Sequence, residues 1–320
     1  MSAAPLGVAL LGVGIVGSAV ARAMGERAKR LEVMSGRPIR LVGAVARDPN
    51  KSRDAGGVTV TADPFALLDD PDVHVIVEVI GGVSQARDLQ LAAFESGKHV
   101  VTANKELVAK HWNELHEAAR LARRELRFEA SVAGAIPIVA ATRQLAASRP
   151  RVVRGLLNGT TTYICSQLDA GRSFDDALAE AQRLGYAEAD PSADVDGFDP
   201  AYKLSILISL LEGRHFPPDQ VRRQSLRGVS VADVGAARAR GATIRYLATA
   251  DFGDKATRAR VAPEEVPLES LEGAATGPTN VVRYETDLAG SLVFSGPGAG
   301  GDATASAILG DVIAIARAAR

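Results

Sequence analysis

Runs of apolar residues broken at short, regular intervals dominate the first half of the chain. Residues 6–11, 39–45, 73–80, 99–102 and 126–130 are short and nearly all apolar. Such runs lack the alternation of a half-solvated strand and predict parallel strands buried on both faces. Between them, helical periodicity predicts helices over 18–24, 84–96 and 106–124, the second closed by Gly97. Strand and helix in alternation predict a doubly wound parallel sheet. The second half reads differently. A strand over 151–157 precedes a helix ending near Ala170 and Gly171, and a second helix opened by Ser173, with Asp176 in its capping box, that closes at Gly185. Apolar residues 204, 206–208, 210 and 211 make a third, nearly all-apolar helix. Strands over 244–249, 258–262, 280–285 and 291–295 form a second sheet covered by those helices, and a last helix spans 302–319. The fold class is therefore α/β, a Rossmann-type sheet plus an α+β domain. The expected division is 1–136, completed by 302–320, and 137–301.

The first strand runs into Gly12-Val-Gly-Ile-Val-Gly17 and then a helix. Strand, G-x-G-x-x-G, helix is the context in which glycines serve a dinucleotide. Gly12 permits the tight turn, Gly14 lets the backbone approach the pyrophosphate, and Gly17 lets the helix lie close on the strand. The N–H groups of the loop, with Ile15 and Val16, then face the phosphates. The second strand ends Ala46-Arg47-Asp48. Arg47 favours the 2′-phosphate of NADP, while Asp48 keeps NAD open. The strand over 73–80 ends in Gly81-Gly82, bare enough for a cofactor to approach, and Glu78 reads as part of a structural network. The next strand ends Thr102-Ala-Asn104-Lys105. Ligands of such sheets sit outside the carboxyl ends of the strands, so these residues fall where a nicotinamide and a reacting carbon meet. A desolvated Lys105 can act as proton donor or acceptor there. The alternative is a lysine that opens the next helix at the surface.

Composition narrows the setting. A net charge of -1 gives no electrostatic case for nucleic acid or an anionic membrane. The single cysteine, Cys165, excludes an internal disulfide and a Cys-rich metal site. No apolar run is long enough to span a bilayer, and no basic-then-apolar leader opens the chain, so a cytoplasmic enzyme is expected.

Chemistry concentrates in Gly185-Tyr-Ala-Glu-Ala-Asp-Pro-Ser-Ala-Asp-Val-Asp-Gly-Phe-Asp-Pro-Ala-Tyr-Lys203. Five acids, Glu188, Asp190, Asp194, Asp196 and Asp199, precede one lysine that enters an apolar helix. The acids suit a small cationic group such as an amino-acid ammonium. A turn-rich loop whose acids cap the next helix has the same spacing. Asp199 and Lys203, four apart, share a helix face. They form either a surface ion pair or an active-site pair in which Asp199 tunes the lysine.

This stretch resembles the substrate loop of homoserine dehydrogenases, G-Y-x-E-x-D-P-x-x-D-(V/L)-x-G-x-D-x-x-x-K. Thr102-Ala-Asn-Lys105, Asn158-Gly-Thr-Thr-Thr-Tyr-Ile164, Gly296-Pro-Gly-Ala-Gly300 and Asp302-Ala-Thr-Ala-Ser-Ala-Ile-Leu-Gly-Asp311 follow that family in order. The resemblance implies NAD(P)-dependent interconversion of L-homoserine and L-aspartate 4-semialdehyde, a step in threonine and methionine biosynthesis. It implies that the ammonium is bound by Glu188 and Asp194, assisted by Thr160, Gly185 and Tyr186. It implies Lys105 or Lys203 as the proton-transferring lysine, oriented by Asp199, and Gly298 near the cofactor. It implies a monovalent cation, Na+ or K+, at Glu129 and the carbonyls of Val132, Gly134 and Ile136. It also implies a homodimer and a short form without a C-terminal ACT-type domain. Two residues depart from the family: Thr162 stands where Asn is usual, and Arg227 where Glu is common. They leave room for an oxidoreductase of a different amino-acid aldehyde or alcohol, or for a silent nucleotide-binding paralogue.

Overall fold

The protein, seen in a computed structural model, is described for residues 4–51 and 53–318. The expected helix end at Ala319, and the outermost termini of the expected domains, lie outside the described residues. Two compact units result, Met1–Ala135 with Gly300–Arg320, and Ile136–Ala299.

The first unit is built on six strands: β1 (Leu6–Leu11), β2 (Ile39–Val45), β3 (Val60–Thr61), β4 (Val75–Glu78), β5 (His99–Thr102) and β6 (Leu126–Arg127). All pair in parallel in the order β3-β2-β1-β4-β5-β6. The order reverses between β1 and β4, and such a sheet leaves its ligand crevice at that point. Every residue of β1 is buried, as its unbroken apolar run requires. The returning helix Gly301–Ala318 lies against helix Ile15–Glu26. Ile308, Val312 and Ile315 join Val20, Met24 and Leu31 in one apolar cluster. A Cβ on Gly301 would meet Ile15 at 3.2 Å, so glycine sets that close approach.

Several expectations shift at element ends. The strand expected over 73–80 pairs only as β4, because the chain turns at Gly81 and Gly82, both left-handed. The helix expected over 106–124 is two helices, Lys105–Lys110 and Trp112–Ala122, broken at His111. Trp112, which opens the second of these, stacks on His116 and meets the edge of Phe128. The strand expected to reach 130 stops at Arg127, and Glu129–Ser131 forms a 3-10 turn. Helix Ile15–Glu26 begins inside the glycine loop, three residues before the expected start. β3 was not foreseen, since two residues carry no periodicity.

The second unit carries β7 (Pro150–Leu156), β8 (Arg222–Arg223), β9 (Ala242–Phe252), β10 (Thr257–Pro267), β11 (Thr279–Thr286) and β12 (Ser291–Pro297) in the order β12-β11-β7-β9-β10-β8. All neighbours are antiparallel except β8, which runs parallel to β10. β9 and β10 run well past the expected 244–249 and 258–262. β9 is buried almost throughout, so alternation could not mark its ends. Helices Gly159–Asp169 and Phe198–Glu212 lie on β9. Among the described residues no helix is long and apolar enough to cross a membrane.

One buried cation pins this unit. Arg245 on β9 is 2% exposed. It pairs with Asp169 Oδ2 at 2.7 Å and donates to the carbonyls of Ile244 at 2.9 Å and Glu272 at 3.2 Å. Removing one partner of a buried pair leaves a charge uncompensated. Asp169→Ala should therefore cost about 3 kcal/mol, read as an early loss of structure in chemical denaturation.

Candidate active site

In the first unit, the carboxyl ends of β1, β4 and β5 carry the glycines and polar residues singled out by motif. Gly12 has φ +110°, and a Cβ there would come within 2.8 Å of the Val79 carbonyl. A Cβ on Gly17 would sit 2.0 Å from the Gly12 carbonyl. Both glycines are therefore demanded by the protein's own backbone. Gly14 is different: nothing lies within 4 Å of where its Cβ would be. It is the N-cap of helix Ile15–Glu26, and no side chain caps that end. Ile15 is 83% exposed beside it, and Val16 is half-buried against the core. Open space over Gly14 and an uncapped helix N-terminus fit a dinucleotide pyrophosphate. At the end of β2, Arg47 is exposed. The Asp48 carboxylate accepts the Asn50 N–H at 3.0 Å, closing its own turn.

Glu78 organises the neighbouring loops. It is fully buried at the end of β4 and accepts from Ile80 N at 2.9 Å, Gly81 N at 3.3 Å, Gln90 Nε2 at 2.9 Å and Thr102 Oγ1 at 2.6 Å. Thr102 Oγ1 accepts from Asn104 N at 3.0 Å. Asn104 caps Leu107 N at 3.1 Å and donates to the Gly82 carbonyl at 2.6 Å. The side chains of Thr102 and Asn104 thus fasten two loops together, and Gly81 keeps open space above it. Lys105 is the first residue of its helix and is half-buried. Gln90 was not foreseen. Its signal was a polar residue on the apolar stripe of Ala86, Leu89, Ala93 and Phe94.

Glu129 is buried, and its N–H donates to Asp311 Oδ2 at 2.8 Å. Val132 is extended, while Ala133 and Gly134 are both left-handed, at φ 56° and 59°. Ile136 offers its carbonyl to Ile138 N at 2.7 Å.

In the second unit, the end of β7, the following helix and the acidic loop converge. Lys203 Nζ donates to Asp199 Oδ2 and to the Leu157 carbonyl, each at 2.7 Å. Their side chains are 12% and 10% exposed, so this is no surface ion pair. Asn158 Nδ2 donates to Asp194 Oδ1 at 2.6 Å and to Asp199 Oδ2 at 2.9 Å. Burial pushes the Asp194 carboxyl above the usual carboxylate range. The Asp199 charge acts the same way, while the hydrogen bond from Asn158 and the Lys203 charge oppose it. Two carboxylates against one ammonium leave a net negative site, which suits an incoming cation.

The other residues of the loop have separate fates. Thr160 Oγ1 donates to the Tyr186 carbonyl at 2.6 Å, and the Tyr186 ring leans on Tyr163 with centroids 5.2 Å apart. Gly185 is left-handed at φ 77° and ends the preceding helix. Glu188 is exposed outside the cluster; its carbonyl accepts from Gln182 Nε2 at 3.0 Å. Asp190 closes a turn on Ser192 N at 3.1 Å. Asp196 accepts from Ser225 Oγ at 2.6 Å and pairs with Arg227 at 3.4 Å. That pair accounts for Arg227, whose charge is spent on the loop. Thr162 Oγ1 donates to the Asn158 carbonyl at 2.9 Å inside its own helix. A Cβ on Gly298 would come within 2.1 Å of the Asn280 side chain, so only glycine fits there.

Comparison with known proteins matches these parts to one family. The family model described as homoserine dehydrogenase, NAD binding domain, matches residues 12–129, and that described as homoserine dehydrogenase matches 137–313. The homoserine dehydrogenase of Corynebacterium glutamicum is 44% identical over 98% of this chain and 72% of its own length. A homoserine dehydrogenase structure from Thiobacillus denitrificans superposes with a TM-score of 0.95 at 39% identity, over 98% of this chain and 74% of that one. A hyperthermophilic archaeal homoserine dehydrogenase in complex with NADPH superposes at 0.81 with 25% identity, over 97% of each chain.

The raised Asp194 carboxyl has a stability consequence. The fold favours its protonated form, so the group weakens the fold as pH rises past the ordinary carboxylate range, and the full penalty stands at neutral pH. Asp194→Asn keeps an oxygen for Asn158 and removes the charge. It should raise the melting temperature at neutral pH and lose that advantage near about pH 4. Differential scanning fluorimetry at the two pH values checks this.

Proposed function

The chain belongs to the homoserine dehydrogenase family, and on that premise we propose that its two clusters carry out NAD(P)-linked interconversion of L-homoserine and L-aspartate 4-semialdehyde. It is an oxidoreductase with an NAD-binding domain. The observation that supports the assignment of roles is the hydrogen-bonded group of Asp194, Asn158, Asp199 and Lys203, with Asn158 and Asp199 buried and the other two half-buried, a net negative cluster containing one ammonium.

In this reading Asp194 and Glu188 take the substrate ammonium, assisted by Thr160, Gly185 and Tyr186. The backbone of residues 12–17, with Gly81, Thr102 and Asn104, holds the dinucleotide, whose nicotinamide supplies or accepts the hydride. Lys203 holds a proton at Nζ, steadied by Asp199 and by the Leu157 carbonyl. On reduction that proton goes to the aldehyde oxygen as the carbon gains hydride; on oxidation Nζ takes it from the hydroxyl. Lys105 is the second proton-carrying lysine considered for this step. NADP is the favoured cofactor: Arg47 stands free of the turn that engages Asp48, and a relative is described in complex with NADPH. A monovalent cation, Na+ or K+, is proposed at Glu129 with the carbonyls of Val132, Gly134 and Ile136. The left-handed pair after Val132, which redirects the chain's carbonyls, supports that reading. We further propose a cytoplasmic homodimer.

Purified protein should reduce NADP more efficiently than NAD when L-homoserine is added, followed by nicotinamide absorbance, with a higher rate when Na+ or K+ is present. Lys203→Ala and Lys105→Ala should each lower kcat by about 10²–10⁴-fold while leaving the cofactor KM nearly unchanged. Near-normal turnover in both variants would remove the lysines from the mechanism.

A further inference from the structure

Asn158 opens the motif Asn158–Ile164 with no role assigned to it by sequence, yet it touches both carboxylates of the cluster. It lies between β7 and helix Gly159–Asp169, 6% exposed. Its Oδ1 accepts the Thr161 N–H at 2.9 Å, capping the helix. That bond fixes the amide: turned over, it would aim an oxygen at two carboxylates and a nitrogen at a backbone N–H. The single NH2 group therefore spans Asp194 Oδ1 and Asp199 Oδ2.

The two carboxylates are not equivalent under this clamp. Asp199 Oδ2 receives both Asn158 Nδ2 and Lys203 Nζ, so an internal cation already offsets its charge. For Asp194 the hydrogen bond that favours its charged form comes from a neutral group, the Asn158 amide. It is the carboxylate with charge left for a ligand. Without a donor between them, Asp194 and Asp199 would compete for Lys203, and like charges that close disfavour ionising together.

We propose that Asn158 is a positioning residue for substrate specificity: its amide holds Asp199 on Lys203 and reserves Asp194 for the α-ammonium of the amino-acid substrate. This rests on the homoserine dehydrogenase reading above and adds to it the residue that divides the two carboxylates between proton transfer and ammonium binding. The groups facing Asp194 are Asn158 and Thr160 from the start of one helix, and Asp199 and Lys203 from helix Phe198–Glu212.

Two variants separate this role from helix capping. Asn158→Ser keeps an oxygen at the cap position and removes both N–H bonds. Asn158→Asp keeps the cap and adds a third carboxylate. In Asn158→Ser the KM for L-homoserine should rise by about 10-fold or more, with a smaller change in kcat and the NADP KM within about 2-fold. In Asn158→Asp the acid limb of kcat/KM should move up by about one pH unit or more, because the added charge opposes ionisation of Asp194. Loss shared equally between substrate and cofactor, or an acid limb that stays in place, would overturn the proposal. Should Asn158→Asp not fold, the serine variant carries the test. Carboxyl-carbon NMR of Asp194 in the wild type and Asn158→Ser provides a readout without turnover. An upward shift in its titration is expected, and no shift overturns the role. A wild type that fails to oxidise L-homoserine would instead refute the functional reading, leaving the NMR result to judge Asn158 alone.

Discussion

The second unit depends on how it keeps two carboxylates and a lysine out of water. Burying charges costs several kcal/mol per ion unless each is paired and hydrogen-bonded. Here one amide, one backbone carbonyl and one helix turn supply the partners. Asp199 and Lys203 are brought together by the four-residue spacing of helix Phe198–Glu212, and Asn158 arrives from β7. Gly197 makes the arrangement possible. It is left-handed at φ 82°, and a side chain there would come within 2.6 Å of the Tyr246 hydroxyl. The loop thus enters the helix at one angle, with Asp199 in its first turn. The compensation is incomplete by design of charge, two negative against one positive, and the remainder sits on Asp194.

The first unit solves a related problem with no cation in the cluster described. Glu78 is fully buried, and four donors from β4's own turn, Gln90 and Thr102 satisfy it. Its bonds reach the two loops that close the sheet's carboxyl edge, so the glycines there hold their left-handed shapes against a fixed anchor. Rigid loops around open space suit a ligand that is bound through backbone groups, since little ordering remains to be done on binding.

Much of this was legible in the residues, and for physical reasons. Buried parallel strands need unbroken apolar runs, so β1, β2 and β5 stood out with correct ends. The glycines of the first turn are demanded by backbone contacts at Gly12 and Gly17, which makes them a reliable sign of the turn itself. The Asp199–Lys203 pair followed from helical spacing, although spacing could not say that it is buried. What stayed hidden depends on tertiary contacts. Asn158 stands in a motif whose spacing does not reveal that it bridges two carboxylates. The five acids of the loop look alike in sequence, yet only Asp194 and Asp199 converge, while Asp190 and Asp196 close turns and pairs and Glu188 faces solvent. The break at His111 leaves no mark in the periodicity, and the full length of β9 is hidden because burial erases its alternation.

In the proposed function, the negative charge left on Asp194 recognises the ammonium of the substrate. Its most direct test compares oxidation of L-homoserine with that of 4-hydroxybutanoate, which keeps the alcohol and carboxylate but lacks the ammonium. The account predicts a strong preference for L-homoserine in the wild type, and a collapse of that preference in Asp194→Asn through loss of the better substrate. Equal use of both alcohols by the wild type, or a preference that survives the Asp194 substitution, would contradict it.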